Sequence, residues 1–170
     1  ALTTAQIVAL STAQVAALTT AQVAGLTDTQ VAALQVADLI VLSAEQLQAL
    51  LTSQIVALTS AQVAALTTEQ MVALESADLA ALTVDQVAAL TTAQVRALTT
   101  DQIPVLTVSQ LQALETADIA ALSSAQIAAL TTAQAAALST AQIVAFSSVQ
   151  IQALELEDLA ALTVAQIKAI

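Results

Sequence analysis

Leucine falls on every eighth position from Leu2 to Leu162, interrupted only by Phe146, and Ile170 continues the register. Glutamine keeps a second register four residues later, at Gln6, Gln14, Gln22 and onward, and the next position is Val or Ile in fourteen of the twenty-one units. With Ala closing most units, the consensus octad reads L-[ST]-x-x-Q-[VI]-x-A, and twenty-one octads run between Leu2 and Ala169. Ser or Thr followed three residues later by Gln is a capping box. The hydroxyl accepts from the Gln backbone N–H, and the Gln side chain reaches back to the cap residue's own N–H. Such a signal normally starts one helix; here it recurs in sixteen of the twenty-one octads, with the helix formers Ala, Leu and Gln between. The pattern predicts one short helix per octad, of about seven residues, which needs tertiary stacking to persist.

Other periodic readings fare worse. One continuous helix would rotate its apolar positions by about 80° per octad, so no single face could be buried. A β-solenoid wants Gly, Asn or Asp at its turns, and this chain has one Gly and no Asn. The expected fold is therefore all-α: a tight α-solenoid of short capped helices, one continuous repeat domain over residues 1–170. Three irregularities are expected to be tolerated. Leu51 abandons the hydroxyl cap and leaves Thr52 or Ser53 to substitute, Pro104 should kink its octad, and Gly25, Val41 and Val105 change the close-packed Ala position.

A longer period overlies the octad. At Asp38, Asp78, Asp118 and Asp158 the Gln is replaced, and in the same octads Gln35, Glu75, Glu115 and Glu155 replace the Ser or Thr. The spacing is five octads each time. Either five octads close one coil, which is the expectation adopted for the solenoid, or the period records duplication of a five-octad segment. If it is a coil, Glu75/Asp78, Glu115/Asp118 and Glu155/Asp158 stack as a carboxylate column. Such a column would be a candidate Ca²⁺ site. The plainer reading is acids placed at helix starts. All 13 acidic residues lie in the first four positions from the cap, and Arg96 and Lys168 lie near helix C-termini, as the helix macrodipole prefers.

Composition then narrows function. There is no Cys or His, which removes thiolate nucleophiles, imidazole bases and the usual zinc and haem ligands. The Ser and Thr have no His base to activate them, and capping accounts for nearly all of them. The expectation is no enzyme, no cofactor and no bound metal. A net charge of −11 argues against nucleic-acid binding. Residues 119–154 carry no charge, yet 13 Ser, Thr or Gln residues interrupt them, so no membrane span is expected.

The stretch from Ala5 to Leu34, AQIVALSTAQVAALTTAQVAGLTDTQVAAL, resembles the LTTAQVAA-type octapeptide tracts of very large bacterial surface or secreted proteins, grouped with adhesin-like or haemagglutinin-like chains. The resemblance covers essentially the whole chain. It implies a spacer or stalk outside the cytoplasm. The alternative is a binding module that uses the outer Thr/Gln surface, an apolar bore or the carboxylate column. Because the chain begins inside an octad and its final octad, Leu162 to Ala169, is as apolar at core positions as any internal one, the sequence reads as excised from a longer array. End-to-end self-association is expected.

Overall fold

The computed structural model describes residues 2–170 and contains twenty α-helices, with no strand among the described residues. Each helix occupies one octad and has four to six residues, from α1 (Thr4–Val8) to α20 (Val164–Ile167). They are shorter than the octad spacing suggests because the corner takes two extended residues. Between α7 (Thr52–Ala57) and α8 (Ser60–Ala65), Leu58 has φ −58°, ψ 140° and Thr59 has φ −72°, ψ 156°. No residue needs positive φ to turn these corners, which is why one glycine suffices for the whole chain.

The octad of residues 98–105 forms a turn instead of a helix. Pro104 has no N–H to donate within it. Its capping box survives: Thr99 N–H donates to Gln102 Oε1 at 2.9 Å and Gln102 N–H to Thr99 Oγ1 at 3.2 Å. Ile103 and Leu106 stay buried, so the proline costs helical bonds without moving the core positions. Leu51 differs from expectation in another way. Neither Thr52 nor Ser53 substitutes for the missing hydroxyl; Leu51 N–H still bonds Gln54 Oε1 at 2.6 Å, while the two hydroxyls reach Asp78 and Asp28 on neighbouring octads.

Contacts group the chain into two compact units, one ending at Ala89 and the other running from Leu90 to Ile170. Within each, every contacting pair of helices lies three octads apart. In the first unit, α4 (Asp28–Ala32) packs on α7, α5 (Val36–Leu39) on α8, and α7 on α10 (Ser76–Ala81). In the second, α16 (Thr132–Ala137) packs on α19 (Leu156–Ala161), and α17 (Thr140–Val144) on α20. The coil is therefore not five octads. Hydrogen bonds between successive coils span 25 to 31 residues, about three and a half octads, so each corner turns more sharply than a five-sided coil requires.

The two units are short-helix solenoids in which each octad has two distinct contact faces. The sixth-position residue, usually Val or Ile, is the most deeply buried: Val63, Ile55, Leu111 and Ile127 are all 0% exposed. In the first three octads Ile7, Val15 and Val23 remain buried, while Leu2 is exposed and the next three first-position leucines, Leu10, Leu18 and Leu26, are half-buried. In the last coil the relation inverts: Leu154 and Leu162 are buried while Leu159 and Ile167 are exposed. The first-position Leu thus packs toward the preceding coil and the sixth-position residue toward the following one.

Gly25 sits at a helix C-cap with φ −79°, ψ −2°, the same conformation that Ala17 and Ala33 adopt. A Cβ there would lie 3.2 Å from Ala21 O. The octads with Ala accommodate that same carbonyl four residues back. Gly25→Ala should therefore stabilise the chain by about 0.5 kcal/mol, by restricting the unfolded state. Urea denaturation of the two proteins checks this.

Candidate functional site

The residue type that defines the octad also ties its coils together. In Gln86, Oε1 accepts from the Thr83 N–H at 2.7 Å, completing the capping box with the Gln86 N–H to Thr83 Oγ1 bond at 3.2 Å. The same amide turns its Nε2 to the coil below, donating to Leu58 O at 2.7 Å, Val56 O at 3.1 Å and Ile55 O at 3.3 Å. Those carbonyls belong to the C-terminal turn of α7 and the corner after it, where the last carbonyls of a helix lack partners of their own. One side chain therefore caps the start of its own helix and the end of another.

This arrangement recurs as a ladder. Gln62 donates to Leu34 O at 2.8 Å, and Gln70 to Leu42 O at 2.9 Å. In the second unit Gln126 reaches Leu98 O at 2.8 Å, Gln142 reaches Leu114 O at 3.0 Å, and Gln166 reaches Leu138 O at 2.7 Å. Gln54 bonds Leu26 O in the same way. All these glutamines are buried, which an amide tolerates because both of its ends are bonded. Capping alone, as read from the sequence, missed this second role. A signal for it exists: the fifth position holds Gln seventeen times and Asp four times but never Glu. Glu completes a capping box as well as Gln does and suits a helix start better, so its absence points to a required N–H donor.

The four Asp octads interrupt the ladder. Asp is one methylene shorter than Gln and has no N–H to offer, so the carbonyls below receive no amide. Asp78 Oδ1 instead accepts from Thr52 Oγ1 at 2.7 Å, and Asp118 Oδ1 accepts from Thr92 Oγ1 at 2.8 Å. A Thr stands at the equivalent place before each of the four, at Thr12, Thr52, Thr92 and Thr132, yet Asp38 Oδ2 and Asp158 Oδ2 are buried without a partner. At Asp38 the neighbouring Gln35 takes over part of the lost role, its Nε2 donating to Val8 O at 2.8 Å.

The calcium candidates Glu75, Asp78, Glu115, Asp118, Glu155 and Asp158 are not assembled into a column within either unit. α5 and α10, which carry Asp38 and Asp78, share no contact, nor do α14 (Thr116–Ala121) and α19, which carry Asp118 and Asp158. Among the described residues no three Asp or Glu side chains are grouped so as to hold a metal ion. The cause is the coil: five octads exceed one turn, so successive Asp octads do not superpose. At exposed Glu45 the carboxyl is held below its ordinary range by its own backbone N–H and by the Ser43 hydroxyl.

Restoring the consensus at the unpartnered site should help. Asp158→Gln supplies an amide for the carbonyls of Ile127, Ala128 and Leu130, the register that Gln150 and Gln166 occupy on either side. The expected gain is about 1–2 kcal/mol in denaturant unfolding. Asp78→Gln should gain less, because it gives up the Thr52 hydroxyl bond.

Comparison with known families now accounts for the five-octad period. The model of the ALTTAQ repeat matches residues 1–28, 31–68, 71–108 and 111–148. The chain belongs to the ALTTAQ repeat family. The last three matches begin at positions 31, 71 and 111, five octads apart, and each contains one Asp octad. The ALTTAQ repeat is thus five octads of sequence, whereas the coil is about three and a half; the unit of the family is not the turn of the solenoid. No curated protein and no solved structure matches the chain. No helix among the described residues is long and apolar enough to cross a membrane.

Proposed function

We propose that this ALTTAQ tract is a non-catalytic structural module, a spacer whose extent is set by its number of octads, within a larger bacterial surface or secreted protein. The observation that supports it is the ladder. The hydroxyls cap helices, the glutamine amides bind helices to one another, and the core positions repeat with little variation, so the polar groups serve the scaffold. A binding surface needs side chains that differ from octad to octad and converge, and the octads here are nearly uniform. The surface or secreted setting rests on the resemblance of the octads to tracts of such proteins.

Small-angle scattering on a series with one or two additional five-octad blocks tests the spacer reading. A maximum dimension that grows by an equal increment per block supports it. A dimension that stays constant while the mass rises would sink it.

A further inference from the structure

We propose that Asp38 and Asp158 each hold a large monovalent cation, potassium or ammonium, at the place where other octads put a glutamine amide. On either side of Asp158 in the register, one nitrogen is ringed by three carbonyl oxygens. Gln150 Nε2 lies 3.1, 3.3 and 2.8 Å from those of Ile119, Ala120 and Leu122. Gln166 Nε2 lies 3.4, 3.2 and 2.7 Å from those of Ala135, Ala136 and Leu138. The same register assigns Asp158 the carbonyls of Ile127, Ala128 and Leu130, and Asp38 those of Ile7, Val8 and Leu10. Of these, Val8 O already accepts from Gln35. Both sites are internal to their own unit: α5 packs on both α2 (Thr12–Ala16) and α8, and α19 packs on α16.

The carboxylates point to a cation. Asp38 and Asp158 are each 2% exposed, and Oδ2 of each is buried without a hydrogen-bond partner. Asp118 shows the satisfied alternative: Oδ1 accepts from the Thr92 hydroxyl at 2.8 Å and Oδ2 from the Glu115 N–H at 3.1 Å. A buried carboxylate in a register of carbonyl oxygens has only acceptors to meet, and burying its charge requires a positive group beside it. Arg96 and Lys168 are the only basic residues of the chain, and neither bonds these Oδ2 atoms. The carbonyl spacing selects the ion. Oxygens ringing a point at 2.7 to 3.4 Å stand farther off than the about 2.3–2.6 Å of Ca²⁺ or about 2.0–2.1 Å of Mg²⁺. They suit a larger ion that exchanges its water for carbonyls, or ammonium, which donates N–H as the amide does. One positive charge balances one carboxylate, so each site is complete within one Asp octad and the coil below it.

Thermal unfolding followed by circular dichroism, in the chlorides of tetramethylammonium, potassium, ammonium and calcium at equal ionic strength, tests the proposal. Tetramethylammonium screens the −11 charge as the others do but is too bulky to be ringed by the carbonyls. The native chain should melt about 2–4 °C higher in potassium or ammonium than in tetramethylammonium. Asp38→Gln/Asp158→Gln brings its own amides to the same carbonyls, so it should fold and melt alike in the three monovalent salts. Asp78→Gln, at a carboxylate the Thr52 hydroxyl already serves, should keep the native difference. Potassium and ammonium acting alike supports a site that selects by size, and ammonium acting alone supports one that selects N–H donors. A native chain that melts alike in potassium, ammonium and tetramethylammonium overturns the proposal, as does a difference that survives in Asp38→Gln/Asp158→Gln. Loss of the difference in Asp78→Gln, or a larger rise in calcium that depends on the same two aspartates, also overturns it.

Discussion

Gln86→Glu should destabilise the first unit by about 3–5 kcal/mol at neutral pH, the range for a buried charge left without its partner. The substitution changes one NH₂ for one oxygen. Its capping acceptor for the Thr83 N–H is retained, so the helix start is preserved. What it removes is the donor to Ile55, Val56 and Leu58, and it places an anion against three carbonyl oxygens at a residue that is 2% exposed. The penalty should be pH-dependent with a definite sign. The carboxyl introduced here ionises less readily in the folded chain than in the unfolded one. The penalty is then absent below the unfolded value of about 4.3 and grows as pH rises toward the folded one. In acid the protonated side chain can donate its O–H, and the variant should approach the native stability measured at the same pH. Gln22→Glu, made at an exposed glutamine with no carbonyl below it, should change stability by less than about 0.5 kcal/mol. Equal effects at the two sites would mean that capping, not the inter-coil bond, is what the amide supplies.

Ile127→Ala should cost about 3 kcal/mol, within the range for deleting a fully buried branched side chain. Ile127 is 0% exposed and lies at the sixth position, where the following coil covers it. The matching change at Ile167, 48% exposed on a face no coil covers, should cost under about 1 kcal/mol. Ala135 provides the reverse experiment, being an Ala in the register where most octads have Val or Ile, and also 0% exposed. Ala135→Val should gain about 1 kcal/mol if the neighbouring coil leaves room, and a loss would show that the coil has closed onto the smaller residue. Thermal and urea unfolding of the four proteins separates these outcomes.

The helices and their phase are legible from the octad because a capping box is a local device: Thr83 and Gln86 specify one helix start whatever lies around them. Burial of the first and sixth positions follows from their apolar character for the same reason. The number of octads per coil is not legible. It is set by the torsions at corners such as Leu58–Thr59, and these vary little from octad to octad, so no residue change marks the completion of a turn. The Asp octads provide a conspicuous mark at every fifth octad, but it belongs to the ALTTAQ repeat as a unit of sequence. Reading it as a turn placed Glu115/Asp118 and Glu155/Asp158 in a column that the fold does not build. The Gln amide's second role was within reach, since Gln over Glu at a helix start is a choice that capping does not explain.

The mismatch between five octads and about three and a half acts as a vernier. Each octad straddles a junction in the coil below, so Gln62 reaches both Val31 within one helix and Leu34 at the next corner. Adding any whole number of octads keeps every rung of the ladder in register. A block of seven octads, by contrast, would bring each Asp octad back over an earlier one two turns below and gather the missing rungs along one line. Blocks of five scatter them, so that a tract can lengthen by repeated duplication without writing a line of weakness down its side.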